Sequence, residues 1–389
     1  MRFRTGLLFV LLISGCTART VSESLKADID SISRKFVPDT REGICNFELE
    51  RVPGNIIKIT GETDKPELRK EINEFLEKSG LKYQDSISLL PDTSMIFKRW
   101  GLVTVSVINI KKNPSHSSEL ISQAIMGTPV KILKQMGSWI LIQTPDHYIG
   151  WVTRSSISEM DENEFGRWKQ CERVIYTSKS GDIVTGKNVV SDIVAGVILE
   201  VKNKTAGWFN VVLPDGREGS IPAGDAADFN RWVSEIKPVA ADMISMGRSL
   251  LGSPYMWGGT SVKALDCSGF VKTLYFLGGI ILARDASQQF RYGAPLNITE
   301  TFESLIPGDL IFFGRLNEKG EKRITHVGMY IGDTEVIHSS GMVRINSLDP
   351  SRANYSSYLK ETLMGSRRVI GAGDEQGTRS VKNHGWYID

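Results

Sequence analysis

Residues 254–279 read PYMWGGTSVKALDCSGFVKTLYFLGG. Gly258 and Gly259 break the chain, Asp266 is placed to cap a helix, and Phe270, Val271, Leu274 and Tyr275 then recur at helical spacing until Gly278 and Gly279. The spacing predicts a helix with Cys267 in its first turn. Unpaired backbone N–H groups and the helix dipole favour a thiolate there, whereas burial acts the other way. A lone cysteine opening a helix is commonly a small core residue. A nucleophilic one needs a base.

Five histidines are available, His116, His147, His326, His338 and His384, and two of them lie in ITHVGMYIGDTEVIHSS, residues 324–340. Alternating strands flank Ile331-Gly332-Asp333, so the segment predicts a hairpin. With the turn centred on Gly332, His326 and His338 face each other on one side of the sheet, their Cβ atoms about 5 Å apart. One imidazole then takes the thiol proton while the other holds its ring, the logic of a cysteine, base and orienter triad. The same three residues have the chemistry of a zinc site with one open position. No CxxC or HExxH spacing accompanies them, and neither a metal nor a cofactor is expected.

The 389 residues exceed what one core usually organises, so two to four domains are expected. Lysine and arginine number 47 against 45 aspartate and glutamate, so there is no basic field to hold nucleic acid. The start, MRFRTGLLFVLLISGC, has a basic end, an apolar stretch and small residues, which is an export signal and not a membrane span. Its last four residues, Ile13 to Cys16, resemble a bacterial lipobox. That resemblance implies a signal peptide over 1–16, lipidation of Cys16 and a lipid-anchored lipoprotein of the cell envelope, on its periplasmic or cell-surface side. A conventional signal peptide cleaved nearby remains the alternative. Of the other cysteines, Cys45 and Cys171 either form a disulfide or stay unpaired; the sequence does not choose.

Residues 17–91 are expected to form a small α/β unit: a tether running into a short helix to residue 36, two strands joined by Pro53-Gly54-Asn55, and a helix begun near Pro66 and ended by Gly80. From residue 92 an internal repeat appears at an offset of 69. Gly127, Val130, Ile132, Trp139, Pro145, Asp146, Gly150 and Val152 recur as Gly196, Leu199, Val201, Trp208, Pro214, Asp215, Gly219 and Ile221. Two compact all-β copies follow, over 92–160 and 161–228, and their pattern resembles bacterial SH3-like domains. The block 239–372 opens with an amphipathic helix and holds Cys267. The tail 373–389 is polar and expected to be loosely held.

Tyr255-Met-Trp-Gly-Gly259, Asp266-Cys267-Ser268-Gly269-Phe270, Arg284-Asp285, Pro307-Gly308-Asp309-Leu310 and Thr325-His326-Val327-Gly328 with His338 resemble, in this order, the motifs of NlpC-type cell-wall cysteine peptidases. The resemblance covers residues 240–370 closely and implies an α+β fold: a papain-like C-terminal catalytic domain preceded by two small SH3-like β-barrels and the N-terminal α/β unit. It implies hydrolysis of the γ-D-glutamyl to diamino acid bond in peptidoglycan stem peptides or muropeptides. Cys267 would be the nucleophile, His326 the base and His338 its orienter, in a monomer. Relatives with paired SH3-like domains tend to need a free N-terminal L-Ala, which would place Glu119 and Tyr148 at a wall of the cleft.

Tyr255, Asp266, Ser268 and Asp285 would complete the substrate site, an ammonium being held by carboxylates beside an aromatic rim. Blander roles stand beside these: Tyr148 on a barrel surface, Glu119 in a solvated loop, Asp266 as a cap only, Asp285 paired with a basic neighbour. Two departures from the pattern are visible. Ala283-Arg284-Asp285-Ala286 stands where Pro-Arg-Asp-Ser is frequent, which removes one serine or passes its role to Ser287, and a charged insert spans 314–324. A non-catalytic wall-binding lipoprotein, and an acyltransferase or amidase on the same scaffold, are the competing functions.

Overall fold

The computed structural model describes residues 14–388, with side chains from Glu23 onward. The expected export signal and the Cys16 side chain, the expected lipid site, lie outside the described residues. The chain divides into two compact units, residues 1–94 and 95–389. Among the described residues no helix is long and apolar enough to cross a membrane.

In the first unit a helix runs unbroken from Ser14 to Phe36, where a tether had been expected over its first part. Strands Cys45–Val52 and Ile56–Thr63 pair antiparallel through the Pro-Gly-Asn turn. The helix Pro66–Lys78 then buries Leu68, Ile72 and Leu76, one apolar stripe, and returns the chain to a third strand, Tyr83–Leu89, parallel to the second. Ile29, Ile57, Ile59 and this stripe make one core.

The second unit opens with two barrels that prove the repeat. The first has strands Trp100–Val103, Val107–Lys111, Leu120–Ile125, Pro129–Met136, Trp139–Gln143, Ile149–Thr153 and Ile157–Met160. The second has Arg173–Tyr176, Ser180–Thr185, Asn188–Val194, Ile198–Thr205, Trp208–Val212, Glu218–Pro222 and Ala226–Asp228. Counting strands within each copy, both sheets run seventh, first, fourth, fifth, sixth, second, third. Even a β-bulge recurs, between Ile132 and Lys134 and between Val201 and Asn203. Gly127 and Gly196 hold the equivalent turn with φ of 76° and 90°. Between the copies the helix Glu162–Gln170 is begun by a reciprocal cap of Asp161 and Glu164.

The rest of the unit is a six-stranded antiparallel sheet in the order Ala294–Leu296, Leu363–Arg368, Leu310–Leu316, Lys322–Gly332, Glu335–Ser340, Met342–Ser347. The helix Cys267–Leu277 packs on it through Phe270 and Leu274, both fully buried. The insert at 314–324 extends one hairpin of this sheet, with Leu316 opposite Lys322.

The tail is held, contrary to its polar composition. Thr378–Ser380 pairs with Ile280–Leu282, and His384 Nε2 donates to the Pro145 carbonyl at 2.9 Å. Tyr387 is buried against Phe229 and Phe276, and Trp386 meets Trp100 edge-on. Three aromatic and histidine side chains near the end outweigh the surrounding charge. Cys45 and Cys171 stand as free, half-buried thiols, one in each unit.

Candidate active site

Asp266 begins the helix as the sequence predicts: its Oδ1 accepts from Gly269 N–H at 2.7 Å, while Oδ2 accepts from Gly258 N–H at 3.0 Å. The helix start sits so close to the Gly-Gly turn that a Cβ on Gly269 would stand 2.0 Å from the Gly259 carbonyl oxygen. Only glycine permits that approach. Arg284, fully buried, forks onto Asp266 at 2.6 and 3.2 Å and also donates to Ser268 Oγ at 3.0 Å and Ser122 Oγ at 2.9 Å. One guanidinium thus ties the helix cap to the first barrel. Asp266 therefore does more than cap.

Cys267 projects from this helix toward the strand Lys322–Gly332, where the Val327 backbone N–H reaches its sulfur. Val327 follows His326 directly, so the sulfur stands beside the strand that carries the imidazole. His326 Nε2 lies 2.8 Å from His338 Nδ1, and His338 Nε2 lies 3.0 Å from Asn346 Oδ1. The two histidines meet on one face, but not directly opposite each other. Met329 pairs with Ile337, an irregularity follows Tyr330, and the tight turn is Asp333-Thr334, both at positive φ. His338 therefore faces Gly328, whose missing side chain leaves room for the diagonal contact with His326.

Burial opposes the thiolate that the helix start favours. Burial pushes the Cys267 thiol up to about 12, with the Asp266 carboxylate adding to it, and these outweigh the N–H groups and Arg284. Burial, and then His338, hold the His326 imidazole below its usual value. Both shifts favour the thiol and the neutral imidazole, the forms from which the proton moves as the sulfur attacks. Among the described residues no three His, Cys, Asp or Glu side chains stand in metal-holding geometry.

The buried imidazoles also predict how stability follows pH. His338 and His384 are each 3% exposed, and burial lowers both. Below the ordinary histidine value of about 6.5 the unfolded chain binds protons that the folded one refuses, so stability must fall as pH falls. Each contributes up to about 1.4 kcal/mol per pH unit until its folded form titrates. Denaturant unfolding at pH 7 and 5 should show this loss, and equal stability at both would contradict it.

The first barrel forms one wall. Its strand Leu120–Ile125 lies so near the Gly-Gly turn that a Cβ on Gly258 would meet Leu120 Cγ at 2.7 Å, and Gln123 Oε1 accepts from Thr260 N–H at 3.1 Å. Glu119 is exposed and accepts from Trp257 Nε1 at 3.2 Å. Tyr148 is buried, not a surface residue, and its hydroxyl donates to Asp285 Oδ2 at 3.1 Å. Asp285 also stands 3.9 Å from Arg284. Tyr255 is half-buried beside Cys267 and Asp266, where burial first raises its phenol to about 12. Ser268 spends its hydroxyl on Asp266 and Arg284, so in this structure it supports the cap.

The proposed residues thus fall into groups: His326 and His338, with Cys267 beside the strand that carries His326; Asp266, Ser268 and Arg284; Tyr148 and Asp285; Glu119 with Trp257. Sequence reasoning quoted Arg284 and Trp257 inside motifs without giving them a role. An arginine closing the apolar run Ile280 to Ala283 and followed by Asp285 was the available signal for the first. Asn346 gave none, because its place depends on the register of the last strand pair.

Comparison with known proteins agrees with this geometry. Residues 252–368 match the NlpC/P60 family and residues 106–158 the bacterial SH3 domain. A gamma-D-glutamyl-L-lysine dipeptidyl-peptidase of Bacillus cereus is 30% identical over 268 residues, 66% of this chain and 77% of that protein. Dipeptidyl-peptidase 6 of Lysinibacillus sphaericus is 24% identical over 283 residues, 68% of this chain and 97% of that protein. The crystal structure of an NlpC/P60 family protein from Bacillus cereus superposes with a TM-score of 0.60 at 26% identity, covering 70% of this chain and 99% of that one. With sequence, barrels and site in agreement along this length, the chain belongs to the NlpC/P60 family.

Proposed function

We propose that this protein is a cysteine peptidase that cuts the γ-D-glutamyl to diamino acid bond of short peptidoglycan stem peptides bearing a free N-terminal L-Ala. The observation that carries the proposal is the placing of Cys267 beside the strand of His326, with His326 bonded to His338 at 2.8 Å, in a cleft walled by the first barrel. His326 takes the thiol proton as the sulfur bonds to the γ-carbonyl carbon. The C–N bond then breaks, His326 returns the proton to the leaving amine, and water hydrolyses the thioester to regenerate the thiol.

The relatives' names supply the bond; the wall supplies the preference for a free amine. Glu119 and Asp285 are carboxylates carried on or held by the barrel side, and Tyr148 is bonded to Asp285. An ammonium ion bound among them gains charge-assisted hydrogen bonds that an acetamide cannot make. L-Ala-γ-D-Glu-L-Lys or its diaminopimelate analogue should therefore be cut with release of the diamino acid. Its N-acetyl form should lose roughly 100-fold in kcat/KM. Equal rates for both peptides would remove the amine site, and an uncut free peptide beside cut polymeric wall would remove the short-substrate assignment.

A further inference from the structure

Resting on that reading, we infer that Asn346 is a positioning residue that sets the direction of the hydrogen-bond chain and so makes His326 a base toward Cys267. The inference follows from which atoms can donate. Asn346 Nδ2 donates to the Asn354 carbonyl at 3.0 Å, a partner that only accepts. That fixes the amide orientation and leaves Asn346 Oδ1, also an acceptor only, 3.0 Å from His338 Nε2. His338 must carry its proton on Nε2. In the neutral ring Nδ1 is then a bare acceptor, and the His326 nitrogen 2.8 Å from it, Nε2, must be the one that donates. His326 Nδ1 is left unprotonated, ready to take the thiol proton.

The reverse arrangement is blocked at its far end. A His338 protonated on Nδ1 would set a nitrogen lone pair against Asn346 Oδ1, and turning the amide to relieve this would set Oδ1 against the Asn354 carbonyl. Asn354 is itself held, its Nδ2 donating to Glu335 Oε1 at 2.9 Å. The chain thus starts outside the site and ends at the nucleophile. It requires a neutral His338, which burial favours. The charged and titratable neighbours are His326 on one adjoining strand, Arg344 directly across on the other, and Asp266 and Cys267 at the start of the packed helix.

Nitrogen-15 NMR of histidine-labelled protein without substrate reads the tautomers directly. The inference expects protonated Nε2 and bare Nδ1 in both His326 and His338; a proton on His338 Nδ1 overturns it. In kinetics, Asn346→Leu should lower kcat about 10- to 100-fold with KM nearly unchanged, because orientation is lost and binding is not. Asn346→Asp keeps an acceptor but stabilises the His338 imidazolium, so the acid limb of kcat should move up by about one pH unit. Unaltered kcat in the leucine variant, or an unmoved acid limb in the aspartate variant, overturns the inference. The NMR result needs no turnover, so an inactive wild-type protein would sink the proposed function while leaving the tautomer assignment to be judged separately.

Discussion

Cys267→Ala should lose at least about 10⁴-fold in kcat on the tripeptide while remaining folded. Cys267 is the cysteine whose sulfur the backbone N–H next to His326 reaches, whereas Cys171 is turned to the Trp168 carbonyl. The replaced thiol is 7% exposed and small, so the fold loses only the packing of one sulfur. Circular dichroism and denaturant unfolding should match the wild type closely. Turnover near the wild-type rate would take Cys267 out of the mechanism; loss of fold together with activity would make the cysteine a structural residue first.

Arg284→Leu should cost about 3 to 5 kcal/mol of stability. The leucine leaves the Asp266 carboxylate, 7% exposed, without the fork that compensates its burial, and also strips a donor from Ser122 in the first barrel. Asp266 still caps the helix, but an uncompensated charge at the foot of Cys267 raises the thiol further, so activity should fall as well. Arg284→Lys should recover only part, since an ammonium cannot make the two-pronged contact. A change below about 1 kcal/mol in the leucine variant would show that water or a shifted neighbour already compensates Asp266.

Much of this site could be read before the structure. The helix at Cys267, its Asp266 cap, and the pairing of two histidines on one hairpin face follow from local spacing, and so do the two barrels, whose repeat carries even the position of a bulge. What escaped depends on contacts distant in sequence. The hairpin register differs because the tight turn is Asp333-Thr334 and not centred on Gly332; the extra residue at Ile331 then returns both histidines to one face, and periodicity reveals neither. The tail looked loose because Tyr387 finds Phe229 and Phe276, and Trp386 finds Trp100, more than a hundred positions away. The thiol's direction of shift was open in the sequence, where dipole and burial oppose each other, and only the degree of burial decided it. The parallel third strand of the N-terminal unit was missed because Tyr83–Leu89 is short and alternates too weakly to be distinguished from a loop.

Covalent catalysis by Cys267 is tested most directly by trapping with hydroxylamine. A thioester between Cys267 and the glutamyl γ-carbonyl partitions between water and hydroxylamine, whereas direct attack by water never presents an acyl group to trap. Wild-type protein given L-Ala-γ-D-Glu-L-Lys and hydroxylamine should release lysine and form the dipeptide γ-hydroxamate, and Cys267→Ala should form none. Release of lysine with only the free dipeptide acid, at hydroxylamine concentrations that trap a model thioester, would contradict the mechanism.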